Sequence, residues 1–162
     1  MNQGVGLAEM EDAQAKSKSG DFANLDDLAK MAFAAGDVEK ARNYANELLQ
    51  QAPQHRNSWN YGNAIHCGNI ILGRIAVREG RLDDAKDFLL KAGKTPGSPQ
   101  LNSFGPNMSL AKDLLEKGER SMVLAYFEEC RAFWKLGGNK LTEWTKDVTA
   151  GLTPDFGANL IY

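Results

Sequence analysis

The chain has 162 residues, about the length of one domain, and its 43% hydrophobic and 25% charged content permits a packed core. Its 19 basic and 21 acidic side chains give a net charge of −2 at pH 7, without the basic excess typical of nucleic-acid-binding proteins. No segment approaches the roughly 18 apolar residues that a membrane span needs. We therefore expect neither a nucleic acid nor a membrane as a partner.

The N-terminal residues and the cysteines give information about the cellular compartment of the protein. Residues 1–21 are small, polar and interrupted by glycines, which predicts a loosely ordered leader before a single domain over 22–162. The leader lacks the basic and apolar regions of a signal peptide, so we expect a cytoplasmic protein. A periplasmic or secreted protein whose signal peptide has been removed is the alternative. Cys67 and Cys130 are too few for a disulfide framework and predict buried free thiols.

Apolar residues recur at three- and four-residue steps from Phe22 onward, which is the period of a helix that buries one face. A glycine interrupts the period and Pro53 ends it, as expected for a helical hairpin with a tight turn. The pattern occurs three times. The hairpins are predicted over about residues 22–53, 58–93 and 107–135, with turns at Gly36, Gly80 and Gly118. Such repetition indicates a helical repeat protein of the all-α class.

The second hairpin is predicted to begin with a long helix, from about Ser58 to Glu79, that contains Gly62 and Gly68. A glycine in a helix interior costs about 1 kcal/mol relative to alanine. These glycines therefore indicate a kink or a close approach of another part of the chain. Segment 94–106, after the second hairpin, is dense in turn-forming residues and is expected to be an ordered loop packed on the helices.

A closing helix is predicted within residues 139–162, after the third hairpin. Leu141, Trp144 and Val148 give this helix an apolar face, which can cover the exposed end of the last hairpin as terminal repeats require. The tail that begins at Thr153 is apolar enough to dock on the body of the protein.

The hairpins resemble tetratricopeptide repeats, whose pattern runs Trp, Leu-Gly, aromatic, Gly, Ala, aromatic, Ala, Pro over 34 residues. The first repeat carries Leu25, Leu28, Ala29, Ala32, Gly36, Ala41, Ala45, Leu48 and Pro53 at the matching positions. The second carries Asn69, Leu72, Gly73, Ala76, Gly80, Ala85, Leu89 and Ala92, and the third Asn107, Leu110, Ala111, Leu114, Gly118, Val123, Phe127 and Cys130. The resemblance implies a right-handed superhelix of antiparallel hairpins, here followed by a C-terminal capping helix and an extended tail.

The resemblance also implies a concave groove lined by the first helix of each hairpin and faced by the ninth position of each repeat. Those positions are Lys30, Arg74 and Lys112, and Arg78 lies one turn beyond Arg74. Three cations in register could hold an acidic peptide or a C-terminal carboxylate by charge-assisted hydrogen bonds. The alternative is that they are ordinary exposed cations on helix surfaces.

Chaperone-binding members of this family hold a carboxylate with Lys and Asn in the first helix, Asn in the second and two cations in the third. This sequence has Asp26 with Lys30, then Ile71, then Gly105 with Ser109 at those positions. Binding to chaperone tails is therefore not expected.

Polar residues recur at three-residue steps on the long helix. They are Asn60, Asn63, His66 and Asn69. Asparagine amides can bind peptide backbone groups, or they can satisfy the buried ends of the neighbouring loop. Trp59 and Tyr61 beside them could anchor a partner, since aromatic residues are favoured at interface hot spots, or could cover the first repeat.

No metal-binding spacing is present, and His66 and Cys67 are neighbours in sequence that do not face each other on a helix. No catalytic residue, metal or cofactor is therefore expected. The sequence predicts a non-enzymatic module that binds a protein or peptide, possibly acidic, in the groove. A structural protein that self-associates into a homo-oligomer through Trp59, Tyr61 and the tail is the alternative. A thiol-dependent enzyme that uses Cys67 is the third hypothesis.

Overall fold

The computed structural model describes Gly6 and residues 21–161. The regular structure of residues 21–161 is helical, which confirms the predicted all-α class. The helices are α1 (Phe22–Ala34), α2 (Val38–Gln51), α3 (Tyr61–Arg78), α4 (Leu82–Gly93), α5 (Pro99–Phe104), α6 (Ser109–Glu116), α7 (Arg120–Arg131) and α8 (Gly138–Thr149). Short 3-10 turns cover Ala52–His55, Lys135–Gly137 and Gly157–Leu160. The leader predicted over residues 1–21 lies almost wholly outside the described residues.

Three tight turns pair the helices into hairpins. Gly36, Gly80 and Gly118 have φ angles of 81°, 74° and 81°, the left-handed region that a glycine adopts without a steric penalty. Each glycine joins two helices of one hairpin: α1 with α2, α3 with α4, and α6 with α7. The Asp37 carboxylate accepts a hydrogen bond from the Lys40 backbone N–H at 3.1 Å and so caps α2. The three predicted hairpin turns are confirmed.

Neighbouring hairpins pack through both their first and their second helices. Helix α3 contacts α1 and α2 on one side and α6 on the other, while α4 contacts both α6 and α7. Two apolar clusters result. One joins α1, α2 and α3, and the other joins α4, α6, α7, α8 and the tail. Helix α3 contributes to both clusters, because Ile71 and Ile75 lie in the first and Ile70 lies in the second.

Of the two explanations that the sequence leaves open for Gly62 and Gly68 of α3, the structure supports a close approach of another part of the chain. A Cβ at Gly62 would lie 1.9 Å from the Gly97 carbonyl oxygen, and a Cβ at Gly68 would lie 2.7 Å from the Leu49 side chain. The Gly62 carbonyl accepts a hydrogen bond from the Thr95 hydroxyl at 2.7 Å. Helix α3 begins at Tyr61 rather than at the predicted Ser58.

Segment 94–106 is ordered and packed on the helices, as predicted, and it contains the short helix α5. Ser98 caps α5, because its hydroxyl accepts a hydrogen bond from the Leu101 N–H at 3.0 Å. The C-terminal tail holds the end of this segment. The Asn159 amide donates to the carbonyls of Phe104 and Pro106, each at 3.0 Å.

The tail docks on the body of the protein, as the sequence indicates. The Phe156 ring is 3% exposed and lies edge-on to Trp144, with 5.0 Å between the ring centroids. The Asn159 carbonyl accepts a hydrogen bond from the Met108 N–H at 2.7 Å. These contacts bring the end of the tail next to the start of α6.

Candidate functional site

A groove of about 330 Å³ lies between α1, α3 and the start of α6. Ile70 and Ile71 of α3 and Leu101 of α5 supply its apolar lining. Leu160 and Ile161 of the tail also border it. The groove is thus built mainly by the first helices of the three hairpins, together with the segment and the tail that pack beside them.

The α1 side of the groove carries a cation and a carboxylate one turn apart. The Lys30 ammonium lies 4.0 Å from the Asp26 carboxylate, and both side chains are partly buried. Burial raises the pKa of Asp26, and the positive charge of Lys30 opposes that shift. Lys30 thus forms a loose ion pair with a carboxylate of its own helix.

Two arginines of α3 share one aromatic ring of α1. The guanidinium carbons of Arg74 and Arg78 lie 4.8 and 3.9 Å from the centroid of the Phe33 ring. A cation over an aromatic face is attracted by the ring quadrupole. Arg74 also makes a two-point ion pair with Asp113 of α6, with its Nε 2.7 Å from Oδ2. Phe33 thus fixes both arginines at the edge of the groove.

The carboxylate that follows Arg78 in sequence is engaged elsewhere. Glu79 accepts hydrogen bonds from the guanidinium groups of Arg42 and Arg81. The hydrogen bond from Arg42, followed by that from Arg81, lowers the pKa of Glu79. Glu79 is therefore ionised and directed toward these two partners.

His66 joins α3 to two other segments beneath the groove. Its Nε2 accepts a hydrogen bond from the Asn107 N–H at 2.9 Å, so its Nδ1 carries the proton and donates to the Ala92 carbonyl at 3.1 Å. Burial lowers the pKa of His66 to about 4. The ring is therefore neutral at pH 7, and both nitrogens are occupied by backbone groups.

Cys67 also lines the groove, and its thiol is protonated at neutral pH. Burial raises its pKa to about 12, and its Sγ donates weakly to the Asp26 carbonyl at 3.8 Å. The neighbouring His66 has no ring nitrogen left to act as a base toward it. The surroundings of Cys67 therefore do not activate its thiol as a nucleophile.

Three of the four cations predicted for the site come together in this groove: Lys30, Arg74 and Arg78. Asn63 lines it as well, but its amide donates to the Gln100 side chain at 2.7 Å and accepts from the Ser98 hydroxyl. The sequence leaves two roles open for Asn63, binding a peptide or supporting the neighbouring loop. These hydrogen bonds favour the second.

The other predicted site residues lie elsewhere. Lys112 of α6 is partly exposed and is not part of the groove lining. Asn60 is buried at the start of α3, where it accepts a hydrogen bond from the Ser58 hydroxyl. Trp59 is 65% exposed, whereas Tyr61 packs partly buried against the cluster of the first hairpin.

Several groove residues are not apparent from the sequence. Phe33 is one of the regularly spaced apolar residues of α1, so the sequence predicts only that it is buried. Its contact with two arginines is not predicted. Its spacing of three residues from Lys30 is a signal that could have placed it on the same face. Asn107 and Ile161 reach the groove only through the tertiary fold, and neither the repeat position of Asn107 nor the apolar character of the tail indicates this contact.

No protein-family model, curated protein or solved structure matches the chain. Within residues 21–161, no helix combines the length and apolar content required to cross a bilayer. The described side chains also contain no group of three or more His, Cys, Asp or Glu residues placed to hold a metal ion.

Proposed function

We propose that the chain is a divergent tetratricopeptide-like module that binds an acidic segment of a partner protein in the groove, without catalysing a reaction. The observation that carries this proposal is the placement of three cations, Lys30, Arg74 and Arg78, along one groove. The carboxylates of Asp26 and Asp113 pair with Lys30 and Arg74, so the cluster keeps a net positive charge at Arg78. Electrostatic complementarity of this kind favours an acidic partner and speeds its association.

The size and lining of the groove support a short peptide segment as the ligand. Its volume of about 330 Å³ lies near the lower end of the range of roughly 300–1,000 Å³ that is usual for ligand sites. Apolar side chains beside the cations, such as Ile70 and Ile71, can contact an apolar side chain of the same segment. Such sites combine apolar contact area with a few polar groups that fix orientation.

Binding can be tested with two pools of fluorescein-labelled nonapeptides that are random except for two fixed positions. One pool has Glu at both positions and the other has Lys. We expect the acidic pool to bind more tightly than the basic pool in fluorescence anisotropy, and its affinity to fall as salt is raised.

The location of binding can be tested with Ala34→Trp, because Ala34 is exposed at the end of α1 and lines the groove. The larger side chain should obstruct the groove and weaken binding of the acidic pool. Ala150→Trp is the matched control, since Ala150 is also exposed, follows the end of α8 and is not part of the lining. Equal affinity of both variants for the acidic pool, or no binding of that pool by the unmodified protein, would contradict the proposal.

Self-association is the second candidate function, and the exposure of Trp59 is the observation that favours it. A tryptophan that is 65% exposed places a large aromatic surface in water, as interface residues do in an isolated subunit. Sedimentation equilibrium should then give a mass that rises with protein concentration, and Trp59→Ser should abolish the rise. A monomer mass that is independent of concentration would contradict this alternative.

A further inference from the structure

One positive charge at the groove has no acidic partner within residues 21–161. Lys30 and Arg74 each pair with a carboxylate, as described above. Arg78 makes no ion pair or hydrogen bond through its guanidinium with any residue in this part of the chain. Its sequence neighbour Glu79 is held by two other arginines. The groove therefore carries one uncompensated cation at a defined place.

The surroundings of Arg78 prepare it to bind. Its guanidinium lies 3.9 Å from the centroid of the Phe33 ring, and Arg74 lies over the same ring. A guanidinium over an aromatic face still has its planar fork of N–H groups to donate, and this fork matches the two oxygens of a carboxylate. Because Phe33 is 5% exposed and packed in the core, this platform is rigid, and less entropy is lost when an anion binds.

Building on the peptide-binding function proposed above, we propose that Arg78, held over the Phe33 ring beside Arg74, binds a single carboxylate group of the bound segment. A carboxylate fits better than a phosphate group, because one uncompensated positive charge is present and a phosphomonoester carries about −1.5 to −2 at pH 7. The carboxylate can belong to the C-terminus of the segment or to an Asp or Glu side chain.

The proposed carboxylate contact at Arg78 lies outside the positions that form the carboxylate clamp of chaperone-binding tetratricopeptide proteins. Those positions are occupied here by Asp26 with Lys30, by Ile71, and by Gly105 with Ser109. The proposed contact instead uses the last turn of α3 and an aromatic residue of α1. It therefore follows from the geometry of this chain.

The test uses four pools of fluorescein-labelled nonapeptides with the same random apolar and neutral positions. The first ends in a free carboxylate, the second in an amide, the third in an amide with one fixed Glu, and the fourth in an amide with one fixed phosphoserine. We expect the first or third pool to bind at least about tenfold more tightly than the amide pool, as one charge-assisted bidentate contact allows. Whichever of these two binds more tightly identifies the source of the carboxylate.

Variants then connect this preference to Arg78. Arg78→Gln should remove the preference over the amide pool, and Arg78→Lys should retain only part of it, because lysine keeps the charge without the planar fork. Lys140→Gln is the matched control, since Lys140 is exposed on α8 and is not part of the groove lining. Arg78 is exposed at the end of α3, so its replacement should leave the fold intact, which circular dichroism checks.

The outcomes separate this inference from the function on which it rests. Tightest binding of the phosphoserine pool, or an unchanged preference in Arg78→Gln, would overturn the carboxylate contact at Arg78 and leave the peptide-binding groove standing. Equal binding of the amide and carboxylate pools would also overturn this contact, and the comparison of the Glu and Lys pools described above then decides separately whether the groove prefers acidic segments. Failure of every pool to bind the unmodified protein would overturn both.

Discussion

His66 and Asn107, 41 residues apart in sequence, are joined by a hydrogen bond of 2.9 Å from the Asn107 N–H to His66 Nε2. This bond requires a neutral imidazole, and burial keeps it neutral by lowering the pKa of His66 to about 4. The bond ties α3 to the start of α6 beneath the groove. Protonation of one buried ring is thus coupled to the packing of the second and third hairpins.

The pH dependence of stability should report this coupling. The unfolded chain binds a proton at His66 below its ordinary pKa of 6.5, whereas the folded chain does so only near pH 4. The free energy of unfolding should therefore fall as the pH falls from 6.5 to 4, by up to about 3 kcal/mol. Urea titrations across this range measure the effect.

His66→Gln is the control for this prediction. It removes the titrating group, so the variant should be less stable at pH 7.5 and should approach the unmodified protein as the pH falls. The comparison cancels the contribution of Asp26, whose raised pKa acts in the opposite direction. Parallel stability curves for the two proteins would show that His66 is not the group responsible.

Gly62 should not tolerate an added methyl group. A Cβ there would lie 1.9 Å from the Gly97 carbonyl oxygen, so Gly62→Ala should destabilise the protein by about 1–3 kcal/mol despite the better helix propensity of alanine. Gly138→Ala is the matched control, because Gly138 begins α8 and a Cβ there meets no atom within 4 Å. Chemical denaturation should show the control unchanged or stabilised; the reverse order would contradict the close approach.

The docked tail should contribute to stability through one ring. Phe156 is 3% exposed and packs against Trp144 and Phe127, so Phe156→Ala should cost about 3–5 kcal/mol. Leu152→Ala, at a position just before the tail that is 60% exposed, should change the free energy of unfolding by no more than about 0.5 kcal/mol. Similar effects of the two variants in urea titrations would mean that the tail is not held by Phe156.

The thiols should be inert in the folded protein. Burial raises the pKa of Cys67 to about 12 and also raises that of Cys130, so thiolate is scarce at pH 8. Labelling by Ellman's reagent should be at least roughly 100-fold slower in buffer than in unfolding urea. Rapid labelling of Cys67 in buffer would instead favour thiol chemistry in the groove.

The hairpins could be predicted from the sequence because their determinants are local. A 3.6-residue apolar period and a glycine able to adopt a positive φ define each turn, and Gly36 and Gly80 meet both conditions. Helix α5 also has a local signal that the turn-rich composition obscures. Ser98 followed by Pro99 is a usual helix start, with a capping hydroxyl and a proline at the first helical position.

The candidate site was only partly predictable, because it depends on how the helices pack. Periodicity indicates that Lys30 and Arg74 lie on exposed faces, but the pairing of Arg74 with Asp113 depends on the contact of α3 with α6. Lys112 has the same repeat position as Lys30, yet it lies outside the groove lining. Residues of the segment that contains α5 and of the tail near Ile161 also line the groove. The position of a residue within its repeat therefore does not by itself determine whether it lines the groove.

The most direct test of the peptide-binding groove is a two-dimensional NMR titration of the isotope-labelled protein with the acidic nonapeptide pool. We expect chemical shift changes at the amides of Lys30 and Ile71 and at the Nε–H signal of Arg78, with the indole N–H of Trp59 unchanged. Shift changes centred on Trp59, or none at the groove at saturating peptide, would contradict the proposed function.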